Sequence, residues 1–129
     1  MREISILVVE DDVITLEYLC STLAFKYPDM NILKAFDGLE GMEIFEAHSP
    51  QLVITDLNMP GMDGKQMATM IRSIKPDTRF IALTGFMEKT EWEDSEETGV
   101  HFDHYIVKPV IIQELFSTID ECIKPDRST

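Results

Sequence analysis

The chain alternates short apolar runs with longer segments whose apolar residues recur every three or four positions. Ile4–Val9 is the first run, β-branched and almost uninterrupted, which predicts a strand covered on both faces. It stops at Glu10-Asp11-Asp12, after which Leu16, Leu19, Cys20 and Leu23 fall at helical spacing and predict an amphipathic helix over Val13–Phe25. Pro28-Asp29 closes that unit. Asn31–Ala35 reads as a second strand and Asp37-Gly38 as a turn. Leu39, Met42 and Phe45 mark a second helix, stopped near Ser49-Pro50. The third apolar run is Leu52–Thr55, and Met67, Met70, Ile71 and Ile74 give a third helix ending before Pro76. The methionine stripe of this helix is read as core packing.

The rhythm continues to the end of the chain. Phe80–Leu83 predicts a fourth strand, closing at Thr84-Gly85. The acidic stretch Glu88–Glu97, with Trp92, predicts a fourth helix of poor periodicity. Tyr105–Val107 is a fifth strand before Lys108-Pro109, and Ile112, Leu115, Phe116, Ile119 and Ile123 form the stripe of a last helix. Residues 1–124 are therefore expected to form one domain, with 125–129 a polar tail or the start of a linker. Five strands alternating with five helices predict an α/β fold, a (βα)5 three-layer sandwich around a parallel five-stranded sheet. The flavodoxin-like strand order 2-1-3-4-5 is a common solution, and it gathers functional residues at the carboxyl ends of the strands.

Composition narrows the function. The 129 residues carry a formal net charge of -13, which repels phosphate backbones and argues against direct nucleic-acid binding. Such a balance suits a cation or a basic partner surface. No run approaches the roughly 20 apolar residues of a bilayer span, and the N-terminus lacks a signal-peptide pattern, so the expectation is a cytoplasmic protein without a membrane partner. Cys20 and Cys122 match no ligand spacing and read as small buried apolar side chains. His101 and His104, three apart in an expected loop with no cysteine nearby, do not suggest zinc.

The strand ends carry the chemistry. The first strand delivers Glu10 and Asp11, the third Asp56, the fourth Thr84 and the fifth Lys108. In the expected order, the first and fourth strands flank the third at about 4.8 Å each, and a lysine side chain reaches across one further strand. Three crowded carboxylates cannot all stay ionised without proton sharing or a hard divalent cation with oxygen ligands. Mg²⁺ (or Mn²⁺) fits such a site, with Lys108 and Thr84 left to hold phosphoryl oxygens and Asp56 to act as a carboxylate nucleophile.

These segments resemble a known family. Leu7–Asp12, Thr55–Gly64, Leu83-Thr84-Gly85 and Tyr105–Pro109, in this order, resemble the receiver domain of two-component response regulators, the family of the chemotaxis response regulator. The resemblance spans Ile4 to about Ile123 and itself carries the 2-1-3-4-5 order. It implies that Asp56 is the phosphoacceptor, with Glu10 and Asp11 the acidic pair around Mg²⁺ and the Asn58 backbone carbonyl completing the metal shell. Thr84 and Tyr105 would be the switch pair and Lys108 the active-site lysine. Pro109 would be a cis-proline shaping its loop, while Gly85 leaves the phosphoryl site open.

The function so implied is a signalling switch with self-phosphorylation and autodephosphorylation rather than a turnover enzyme. Its phosphoryl group would come from the phosphohistidine of a histidine kinase or phosphotransfer protein. Its output would pass to a downstream effector, to an output domain outside this chain, or to a homodimer formed by the fourth helix, fifth strand and fifth helix. Two departures stand out. The chain has two more residues than usual between Gly99 and Tyr105, which puts the place of the fourth helix in question. Phe86, together with Asn58, stands at positions that tune phosphate lifetime, and a bulky Phe86 either slows hydrolysis by hindering water or simply packs on the surface.

Other readings of the same residues remain. A haloacid-dehalogenase-type phosphatase needs a second aspartate two residues after the nucleophile, where this chain has Asn58. A flavodoxin needs a neutral first loop for its phosphate, where this chain has Glu10-Asp11-Asp12. A docking module that is never phosphorylated is the remaining alternative.

Overall fold

In a computed structural model, residues 4–57, 59, 61–85 and 102–123 are described. The elements are β1 (Ser5–Val9), α1 (Val13–Lys26), β2 (Asn31–Ala35), α2 (Gly38–His48), β3 (Leu52–Asp56), α3 (Gly64–Ile74), β4 (Arg79–Thr84), β5 (His104–Val107) and α4 (Ile112–Ile123). The strands form one parallel sheet in the order β2-β1-β3-β4-β5. The α/β, flavodoxin-like architecture expected from the pattern is the architecture observed. The predicted fourth helix over Glu88–Glu97, together with Asn58, Pro60, Phe86, His101 and the tail from Lys124, lies outside the described residues.

The uninterrupted apolar runs have a simple structural meaning. Successive strand residues point to opposite faces, and both faces are covered. Ile6 and Val8 of β1 join Leu16, Leu19 and Leu23 of α1 and Leu115 and Ile119 of α4 in one core layer. Leu7 and Val9 join Met42 and Phe45 of α2 and Met67, Ala68 and Ile71 of α3 in the other. Tyr27 ties the first layer together: its hydroxyl donates to Asp120 Oδ1 at 2.8 Å, and its ring meets Phe116 edge-on. The sheet is thereby fixed from both sides, which leaves its carboxyl edge free to present side chains.

Several local expectations change in the structure. Asp37-Gly38 is not a free-standing turn: Asp37 caps α2 by accepting from the Glu40 N–H at 2.8 Å, and Gly38 is the first helical residue. In α3, Met67 and Ile71 are buried, but Met70 and Ile74 are exposed, as is Leu39 at the start of α2. At about 100° per residue the buried arc of α3 runs through Gly64, Met67, Ala68 and Ile71, so Met70 and Ile74 fall on its flank and only part of the methionine pattern is core. His104 opens β5 rather than lying in a loop, and Cys122 is half-buried while Cys20 is buried. Among the described residues, no helix is long and apolar enough to cross a membrane.

Candidate functional site

The register brings the strand ends together. Val9 pairs with Thr55, so Glu10 follows β1 directly beside Asp56, the last residue of β3. On the other side, Asp56 pairs with Leu83, and Thr84 with Val107, so Thr84 and Lys108 follow in turn along the same edge. The strand order reverses between β1 and β3, which opens the crevice where sheets of this class place their sites. Helix α3 starts immediately beyond, capped by Asp63. Its carboxylate accepts from Gln66 N, and the Gln66 side chain accepts from Asp63 N, a reciprocal box that fixes where the preceding loop must end.

Three carboxylates converge. One oxygen each from Glu10, Asp11 and Asp56 lies within 4.8 Å of the others. Glu10 is 1% exposed and Asp56 6%, while Asp11 faces solvent. Lys108 reaches across β4 to join them: Nζ donates to Asp56 Oδ2 at 2.7 Å and to Glu10 Oε1 at 3.1 Å. The second Glu10 oxygen accepts from the Asp12 N–H at 3.1 Å.

The electrostatics follow from this crowding. Burial pushes the Glu10 carboxyl from 4.5 up to about 7, with the negative charge of Asp56 adding to the rise. The Asp12 N–H and Lys108 pull the other way without cancelling it. For Lys108, burial disfavours the charge, but the hydrogen bond and charge of Asp56, then those of Glu10, outweigh it and hold the ammonium above its ordinary range. Lys108 thus offsets the burial of Glu10 incompletely. An oxygen-liganded divalent cation is the group that this donor set fits: three carboxylates on one side, with Asp11 open to water.

The remaining candidates sit around this centre. Thr84 is fully buried, with its hydroxyl directed to the Gly85 carbonyl at 3.4 Å. Gly85 is partly buried at the end of β4. Tyr105, half-buried on the α2/α3 side of β5, meets the Phe102 ring edge-on at 5.7 Å. The Lys108–Pro109 peptide is cis, and the Lys108 N–H donates to the Thr84 carbonyl at 2.8 Å. Asn58 and Phe86 lie outside the described residues.

Some contributors were not singled out in the sequence. Thr55 Oγ1 donates to the Asp56 carbonyl at 2.9 Å, steadying the backbone that carries the central acid. Phe102, next to β5, is buried against Phe80 and Tyr105. Asp103 is held by Phe80: its N–H donates to the Phe80 carbonyl, and its carboxylate accepts from the Phe80 N–H at 2.7 Å and from Arg72 at 3.0 Å. The segment before Tyr105 is therefore anchored at its end. The apolar Phe102 amid polar neighbours was its one visible signal.

Comparison with known proteins places this arrangement. Residues 6–120 match the model of the response regulator receiver domain. The chain is 32% identical over 119 residues to the uncharacterized transcriptional regulatory protein YesN of Bacillus subtilis, covering 92% of this chain and 32% of that protein. It is 30% identical to the response regulator MprA of Mycobacterium ulcerans, covering 88% of this chain and 47% of that one. The chain thus spans less than half the length of these relatives. The crystal structure of a response regulator receiver domain protein from Clostridium thermocellum superposes with a TM-score of 0.78 at 29% identity, covering 93% of this chain and 94% of that one. With its fold, sequence and acidic strand-end cluster in agreement, the chain belongs to the response regulator receiver domain family.

Proposed function

We propose that this domain is a phosphoacceptor switch in which Asp56 takes a phosphoryl group from a partner phosphohistidine. The observation that carries the reading is the convergence of Glu10, Asp11, Asp56 and Lys108 at the crevice of a receiver fold. In the step, an Asp56 carboxylate oxygen attacks phosphorus. The P–N bond breaks with its electrons passing to the imidazole, and a mixed anhydride forms on Asp56. A Mg²⁺ ion held by Glu10, Asp11, Asp56 and the Asn58 carbonyl would neutralise charge on the phosphoryl oxygens.

Each residue then has a defined task. Lys108, already bonded to Asp56, exchanges that contact for a phosphoryl oxygen. Thr84, one strand over, supplies a hydroxyl whose move toward the new charge vacates space on the β4/β5 side, where Tyr105 packs. The acquired charge biases a two-state equilibrium through this pair. Phe86 slows attack of water on the anhydride. A partner has a surface to meet beside the site: a groove of 310 Å³ lined by Ile14, Tyr18, Leu19, Lys108 and Pro109, of which Ile14 and Tyr18 are exposed. The output passes to an effector, to a further domain, or to a second copy of the chain.

A donor with a P–N bond tests the reading. Phosphoramidate with Mg²⁺ is expected to give a phosphoprotein whose label is lost in alkali, as an acyl phosphate is, and no label when the metal is chelated. An alkali-stable phosphate, or labelling indifferent to chelation, would overturn it.

A further inference from the structure

Asp37-Gly38 has no part in the chemistry above, yet at Gly38 α2 packs closely on the backbone of the site's own loop. A Cβ at Gly38 would press directly on the Met62 carbonyl oxygen, with Met62 Cβ at 2.9 Å and Met62 C at 3.0 Å. The φ of Gly38 is ordinary, so the glycine is required by space and not by conformation. The obstacle is backbone, which cannot swing aside as a side-chain tip can. At the other end of the same loop, a Cβ at Gly64 would meet the Asp56 carbonyl at 2.5 Å, Leu57 Cα at 3.2 Å and Thr55 Oγ1 at 3.2 Å. Between these points, Leu57 and Met59 are buried in the core layer shared with α2 and α3, and Met62 packs against it. The Leu57 N–H reaches the Leu83 carbonyl at 3.3 Å.

We propose that Gly38 is a positioning residue for the phosphoacceptor site. Close packing of the first turn of α2 on the Met62 backbone, matched by that of Gly64 on Asp56, clamps the ends of the β3–α3 loop and so holds Asp56 in place for a divalent cation. The inference rests on the proposed metal-dependent function and adds a residue that touches neither metal nor phosphate. The clamp depends on α2 starting where it does. Asp37 ensures this by capping the Glu40 N–H, and the Glu40 carboxylate accepts in return from the Phe36 N–H at 2.7 Å. Loss of such outer supports typically weakens metal binding by about 10–100-fold.

Two readouts on the intact chain test this: Mg²⁺ affinity by calorimetry, and amide hydrogen exchange of the metal-free protein. Gly38→Ala is expected to bind Mg²⁺ about tenfold more weakly and to exchange faster over residues 57–63. Gly41→Ala is the control, because its Cβ would meet the Met67 Sδ tip at 2.7 Å and Val9, not the loop. It should lower stability while leaving Mg²⁺ affinity unchanged. Asp37→Ala, a milder change should Gly38→Ala not fold, should weaken Mg²⁺ binding in the same direction, and Asp37→Asn, which still caps, should restore it.

Wild-type binding with unchanged affinity in Gly38→Ala overturns the clamp alone, as does unchanged affinity in Asp37→Ala. So does a loss in Gly41→Ala equal to that in Gly38→Ala. No Mg²⁺ binding by the wild type overturns both the clamp and the function it rests on.

Discussion

Glu10→Gln should stabilise the metal-free protein at neutral pH. Glu10 is buried beside Asp56, and its carboxyl titrates near 7 instead of 4.5. The folded state therefore binds this proton more tightly than the unfolded chain does, so stability falls as pH rises. The loss begins near pH 4.5, is nearly complete at about pH 7, and stays flat above. At roughly 1.36 kcal/mol per unit, it amounts to about 3 kcal/mol. Glutamine keeps the size and an acceptor for the Asp12 N–H, leaves Lys108 to Asp56, and removes the titration. Acids that do not contact Glu10 contribute equally to both curves, so the difference between them reports Glu10 together with its coupling to Asp56 and Lys108. Urea unfolding of both proteins in chelator, at steps from pH 4.5 to 8, should show the variant gaining about 3 kcal/mol relative to wild type across that window. A difference that stays flat with pH would refute the argument that Glu10 is held at the site under electrostatic stress.

Three further outcomes follow from the proposed switch. Lys108→Ala removes the ammonium that contacts both Asp56 and Glu10, and phosphorylation by a small donor should slow by on the order of 10²-fold, followed by mass spectrometry over time. Thr84→Ala should still be phosphorylated at Asp56, but the Tyr105 ring signals in NMR spectra should no longer shift on phosphorylation; a full shift would remove Thr84 from the switch. Phe86→Ala should release phosphate faster than wild type in a phosphate-release assay, and an unchanged rate would refute a shielding role.

Much of this was legible because the central parallel strands, covered on both faces, are largely apolar, and five strands alternating with helices admit few arrangements. Where four of the five strands stopped, a functional candidate stood, so Glu10, Asp56, Thr84 and Lys108 could be read as neighbours from the strand order alone. The reach of Lys108 across β4 needed only the strand spacing and the length of its side chain. Helix faces were less legible. Met70, Ile74 and Leu39 look like core residues by spacing, yet the sheet covers only part of each helix, and they face outward. The role of Gly38 was hidden for a different reason: a glycine needed for lack of space looks in sequence like one needed for a turn. Phe102 and the Arg72–Asp103 pair were missed because they depend on contacts between segments 22 or more residues apart that carry no local pattern.

The central claim is that Asp56 accepts phosphate. Intact-mass measurement after incubation with Mg²⁺ and a small phosphodonor tests it most directly, on the wild type and on Asp56→Asn side by side. A single phosphate adduct on the wild type and none on the variant is the predicted result. An unmodified wild type, or an adduct that survives in Asp56→Asn, would contradict it.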